Sequence, residues 1–130
     1  MMTRLAIFVS VALSLAACET EAQIGRNAVV VERYDALNDG EKLFVLGAVG
    51  DLAIGCRSLD FSTLFGRKDG PQRPNEKVAA TAQAQRDFAA AERRFLAKHR
   101  FTEGQKLDPC VVGRKEMRDQ TLIGQLLVAK

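Results

Sequence analysis

The side chains able to do chemistry are few. The chain holds one histidine, three cysteines and no tryptophan in 130 residues. A hydrolase triad needs a histidine beside a nucleophile and a third group to orient it. His99 stands between Lys98 and Arg100, cations that do not orient its ring; it reads as a helix-end residue. Ser58 and Ser62 lie outside any Gly-x-Ser-x-Gly elbow. A structural zinc site takes four Cys or His ligands, more than one histidine and a cysteine pair supply. Asp51 and Asp60 are the carboxylates best placed to act as an acid/base pair, but nothing in their spacing requires them to converge. "GAVGDLAIG" (residues 47–55) has the glycines of a phosphate loop without its Lys-Ser/Thr ending; Gly47, Gly50 and Gly55 read instead as close-packing positions on a helix. The expectation is a protein without catalytic, cofactor-binding or metal-binding residues.

What the sequence has in quantity is positive charge. Net charge is +3, short of a dedicated nucleic-acid binder, but it is unevenly spread. From Glu19 to Leu59 four Lys/Arg face seven Asp/Glu; from Asp60 to Lys130 the count is fourteen against nine. "RRFLAKHR" (Arg93–Arg100) is the densest cluster. Arg93, Arg94, Lys98 and Arg100, with Arg86 and the loop cations Arg67, Lys68 and Arg73, form the candidate surface for an anionic partner. A solvated helix face with cations matched to the helix C-terminus explains the same cluster without a partner.

These residues need elements to hold them. "NAVVVERYDAL" (residues 27–37) fits a helix by the spacing of Val30, Tyr34 and Leu37, and fits a strand by its three valines. Asn38 or Asp39 can cap the next helix, with Glu41 in its first turn and Leu46, Val49, Ala53 and Cys56 along one face. "DFSTLFG" reads as a short helical turn or loop ending at Gly66. "RKDGPQRPN" (residues 67–75) is a surface loop. Asn75 caps a long run of good helix formers reaching about His99, with an apolar stripe of Val78, Ala82, Phe88, Ala91 and Phe95. Asp108-Pro109 is a cap followed by a first-turn proline, opening a last helix that Asp119 and Thr121 allow to be interrupted. The fold class expected is all-α: a compact bundle of about four helices over residues 28–130.

The first residues differ from the rest. Met1–Arg4 carries one positive charge, and "LAIFVSVALSLAA" (residues 5–17) carries none. Thirteen helical residues span about 20 Å, short of the ~30 Å hydrocarbon core and suited to a signal peptide. The run ends in "LAAC", Leu15-Ala16-Ala17-Cys18, which resembles the lipobox of bacterial lipoprotein precursors. That resemblance covers about the first 20 residues. It implies removal of residues 1–17, a diacylglycerol on the Cys18 sulfur and acylation of the new amino group. Three acyl chains exceed what stable anchoring needs. Glu19 is not the aspartate that holds enteric lipoproteins at the inner membrane, so the resemblance implies an outer-membrane protein facing the periplasm. Ordinary cleavage nearby would give a secreted protein instead. Polar "ETEAQIGR" (residues 19–26) is then expected to be a flexible tether.

An exported chain meets an oxidising compartment, where the remaining pair, Cys56 and Cys110, is expected to form a disulfide. The function expected is a lipid-anchored interaction, assembly or envelope-maintenance factor with an envelope protein as partner and no nucleic acid. The alternative is an inhibitor or immunity protein that offers the loop at residues 67–75 to a hydrolase.

Overall fold

The computed structural model describes residues 12–100 and 106–130, with side chains from residue 21. It is mainly helical. The segment that fitted either helix or strand lies in α1, Ala12–Asp35, which runs through Cys18 and the stretch expected to be a tether. Glu, Ala and Gln are good helix formers, and side-chain bonds from Gln23 to Asn27 and from Arg26 to Gln23 add support one turn apart. Among the described side chains of α1, Val30 and Tyr34 near its end are buried, and residues 21–26 are exposed. Residues 1–11, the start of the expected signal peptide, lie outside the described residues.

Asn38 starts α2, Asp39–Gly55, through a capping box: its side chain accepts from Glu41 N, and the Glu41 carboxylate accepts from Asn38 N. The buried face of α2 is Val45, Ala48, Val49 and Leu52, with Cys56 at its end. The chain then forms β1, Leu59–Phe61, where a turn or loop was expected. After the loop, Asn75 caps only a single turn, α3, Glu76–Ala79. The expected unbroken helix stops there because Thr81 caps a new one, α4, Ala82–Lys98: its hydroxyl donates to Val78 O and accepts from Ala84 N. Asp108 and Pro109 open α5, Pro109–Arg118, as expected. A turn with Gln120 at φ 51° precedes α6, Leu122–Gln125. The chain continues as β2, Leu127–Ala129, antiparallel to β1 with Leu59 opposite Ala129.

Six helices are therefore present among the described residues, two of them four residues long, with a two-stranded ribbon. Four helices was too simple a count because caps at Thr81 and Thr121 divide two runs. The core gathers Tyr34, Val49, Leu52, Leu59, Leu64, Val112, Leu126 and Leu127 from both halves of the chain. The Cys56–Cys110 disulfide ties the end of α2 to the first turn of α5 with Cα atoms 5.0 Å apart.

Glycine packing is redistributed from the expected positions. A Cβ on Gly55 would meet Pro109 Cγ at 2.6 Å, and one on Gly40 would meet Ala84 O at 2.3 Å, so α2 is pressed against α5 and α4 at its two ends. Gly47 and Gly50 correct the expectation: nothing lies within 4 Å of a Cβ on either. Each lowers helix stability by roughly 0.5–1 kcal/mol relative to alanine with no internal packing that requires it.

Candidate functional site

The helices α2 and α4 run side by side in the same direction. Gly40 abuts Ala84 and Phe88, and Phe44 meets Phe88 and Phe95 edge-on at 5.7 and 5.4 Å. The seam between them has two flanks, and the two are built differently.

One flank is closed over by the chain's own charges, which border a cavity of about 230 Å³ lined by Leu37, Phe44, Val45 and Ala91. Arg94 reaches Glu41 at 3.6 Å, and Lys98 reaches Glu116 at 2.9 Å and Asp119 at 3.5 Å. Glu116 is 1% exposed. One carboxylate oxygen takes Lys98 Nζ and, at 2.6 Å, His99 Nε2; the other accepts from the Thr121 hydroxyl. Burial by itself raises the Glu116 carboxyl. The hydrogen bonds from Thr121, Lys98 and His99 outweigh it, so the group sits below its ordinary value. His99 is at the C-cap of α4, as a helix-end residue should be, but it is held by a buried acid rather than left unoriented. Sequence reasoning missed Glu116. Its signal was a charged residue in helical phase with the buried pair Val112 and Gly113. This constellation fastens α4 to α5 and α6.

The other flank is open among the described residues. Cavities of about 540 and 260 Å³ lie along it, and both are lined by Gly47 and Phe88. Leu43, Leu46 and Ala84 line the first, Leu96 and Leu107 the second. Arg73 borders the end beside Ala84; Asp51 and Glu92 border the end beside Leu96. Among the described residues none of these three charges has an opposite charge within 4 Å.

The eight cations expected to form one surface are divided by the fold. Arg67 pairs with Asp69 through two nitrogens at 2.8 and 2.9 Å; Arg94 and Lys98 belong to the closed flank. Lys68 and Arg73 stay exposed on the loop. Arg86 and Arg93, seven residues apart, share the outward face of α4 opposite buried Ala84 and Ala91, and exposed Arg100 follows the cap at φ 55°. The loop itself is braced: Gln72 Nε2 donates to the carbonyls of Arg67 and Gly70, and Tyr34 OH donates to Gln72 O at 2.7 Å.

The other candidates are not assembled. Ser58 Oγ accepts from Arg114 and lies 3.2 Å from Cys56 Sγ, and Ser62 Oγ accepts from Leu64 N. Asp51 on α2 and Asp60 on β1 are both exposed. Among the described residues no three His, Cys, Asp or Glu side chains come together as a metal site, and no helix is long and apolar enough to cross a membrane. Cys18 lies within α1. Compared with protein families, curated proteins and solved structures, the chain matches none.

Proposed function

We propose that this protein is a lipid-anchored, non-enzymatic interaction or assembly factor of the bacterial envelope, attached through Cys18 and facing the periplasm from the outer membrane. The lipobox-like "LAAC" supports the anchor. The observation that carries the interaction role is the open α2/α4 flank, an apolar surface whose bordering charges have no opposite charge within 4 Å among the described residues. The envelope partner would engage that flank, with Arg86 and Arg93 as the cationic face beside it.

Two measurements test the proposal. Radiolabelled palmitate is expected to enter the wild-type protein and not Cys18→Ser; equal labelling would remove the anchor. A photo-crosslinking amino acid at Leu46, on the open flank, is expected to trap one discrete envelope protein, while the same group at Arg118 traps none. Identical adducts from both positions would remove the interaction role. A second reading, an inhibitor or immunity protein, is favoured by the bracing of the loop at residues 67–75, because a loop held by Gln72 and Tyr34 loses less freedom on binding. It predicts that crosslinking from Lys68, not Leu46, finds the partner.

A further inference from the structure

We infer that the open flank of α2/α4 is a receptor groove for one amphipathic helix of a partner protein, acidic at the end that meets Arg73 and basic at the end that meets Asp51 and Glu92. The inference rests on the interaction reading above and names the class of partner segment.

Three observations carry it. Gly47 lies in the middle of a helix, weakens that helix, and has no neighbour within 4 Å that its missing side chain would accommodate. What the missing Cβ does is deepen the two cavities that meet beside Gly47 and Phe88. A glycine that serves no contact inside the molecule and lowers the floor of an apolar groove is suited to close approach from outside. The shape is the second observation. The two cavities adjoin at Gly47 and Phe88, with Leu43 and Leu46 lining one and Leu96 and Leu107 the other, so that apolar side chains run through both. Such a surface takes the apolar stripe of a third helix through anchors at i, i+3 or i+4 and i+7.

Charge supplies the third observation and sets the direction. On the closed flank every carboxylate and ammonium that faces the seam finds a partner in the chain: Glu41 with Arg94, Glu116 and Asp119 with Lys98. On the open flank the cation stands at one end and the acids at the other, all without partners among the described residues. An acyl chain would use the apolar walls and ignore that polarity. A helix with charges of opposite order would use both.

The test uses full-length protein reconstituted in phosphatidylcholine nanodiscs, with empty nanodiscs as the blank. The probes are two fluorescein-labelled 18-residue helical peptides with leucines at i, i+4, i+7 and i+11. One has glutamates at one end and lysines at the other; in the second these charges are scrambled without changing composition. The ordered peptide is expected to bind the wild type. Gly47→Leu, which fills the groove floor, is expected to weaken it at least about tenfold. Gly50→Ala, on the same helix but outside both cavities, is expected to leave affinity unchanged. Arg73→Glu is expected to weaken the ordered peptide about two- to fivefold, as for a partly exposed ion pair. Circular dichroism melting keeps folding separate: Gly47→Ala and Gly50→Ala are both expected to melt at or above the wild-type temperature, since neither new Cβ meets an atom.

Equal affinity of wild type and Gly47→Leu overturns the groove. Equal affinity for ordered and scrambled peptides overturns the charge-directed helix, as does displacement of the bound peptide by submicromolar free palmitate. Those results leave palmitate labelling of Cys18 and crosslinking from Leu46 untouched, so the groove and the broader reading fail separately.

Discussion

Removing the Glu116 carboxylate should loosen the end of α4, and the size of the effect follows from its partners. The side chain is 2% exposed and receives Lys98, His99 and Thr121. Truncation to alanine would strand the His99 ring, whose side chain is only 3% exposed. A buried donor left without a partner costs about 1–3 kcal/mol, and breaking a buried charged pair costs about 3–5 kcal/mol. Lys98 is 36% exposed and can turn to water or Asp119, which places Glu116→Ala near the lower end, at about 3 kcal/mol. Glu116→Gln keeps an acceptor for one donor and loses the charge, so about 1–2 kcal/mol is expected. The pH sign follows from the lowered carboxyl. A group whose folded value is depressed gives stability above its unfolded value, near 4.3, and loses it as pH falls through the folded value. Urea unfolding followed by circular dichroism at pH 7 and at pH 3 reads both. The difference between wild type and Glu116→Gln should shrink at the lower pH. A Glu116→Ala variant within 0.5 kcal/mol of wild type at pH 7 would refute the reasoning, as would a gap that widens on acidification.

Other consequences are direct. Replacing Cys56 and Cys110 with serine should lower stability by about 4 kcal/mol through the loop of 54 residues in sequence separation, measured by urea unfolding; a loss under 1 kcal/mol would show that the staple does little. The single tyrosine, Tyr34, has its phenol pushed up to about 12 by burial and by Asp35 and Asp39. Its absorbance at 295 nm should titrate well above pH 10, and stability should fall as pH rises from the unfolded value near 10 towards 12; phenolate appearing at pH 10 in folded protein would contradict the buried placement. Gly124→Ala puts a methyl 2.0 Å from Glu116 O and should destabilise by about 1–3 kcal/mol or more. Gly50→Ala should not destabilise, and melting temperatures separate the two.

Local signals were readable because their causes are local. The cap at Asn38 or Asp39, the Asn75 cap and the Asp108-Pro109 start each satisfy amides within one turn; the structure has the last two and takes Asn38 for the first, adding the return bond from Glu41. Thr81 was overlooked because the surrounding residues are all good helix formers, and a cap inside such a run changes no periodicity. The ribbon was invisible for another reason: each strand has three residues, and Leu59 pairs with Ala129 across most of the chain. No alternation can emerge from so few positions. The same holds for the site. Cys56 and Cys110 were paired by elimination, whereas Glu116, His99 and Thr121 meet only once α4, α5 and α6 have packed. Counting arginines could not tell which would be neutralised, since Arg67 and Arg94 find their acids through a turn and a helix crossing.

The ribbon also sets a schedule. Leu126 and Leu127 are 0% and 3% exposed, Ser62 N donates to Leu126 O, and Lys130 N donates to Ser58 O. The core around Leu59 therefore stays open until the segment that forms β2 has been synthesised. Up to then β1 lacks its partner strand, and contacts this distant in sequence are slow to form. The part of the core around Leu59 thus waits on Leu126 and Leu127, while the packing of α2 on α4 does not.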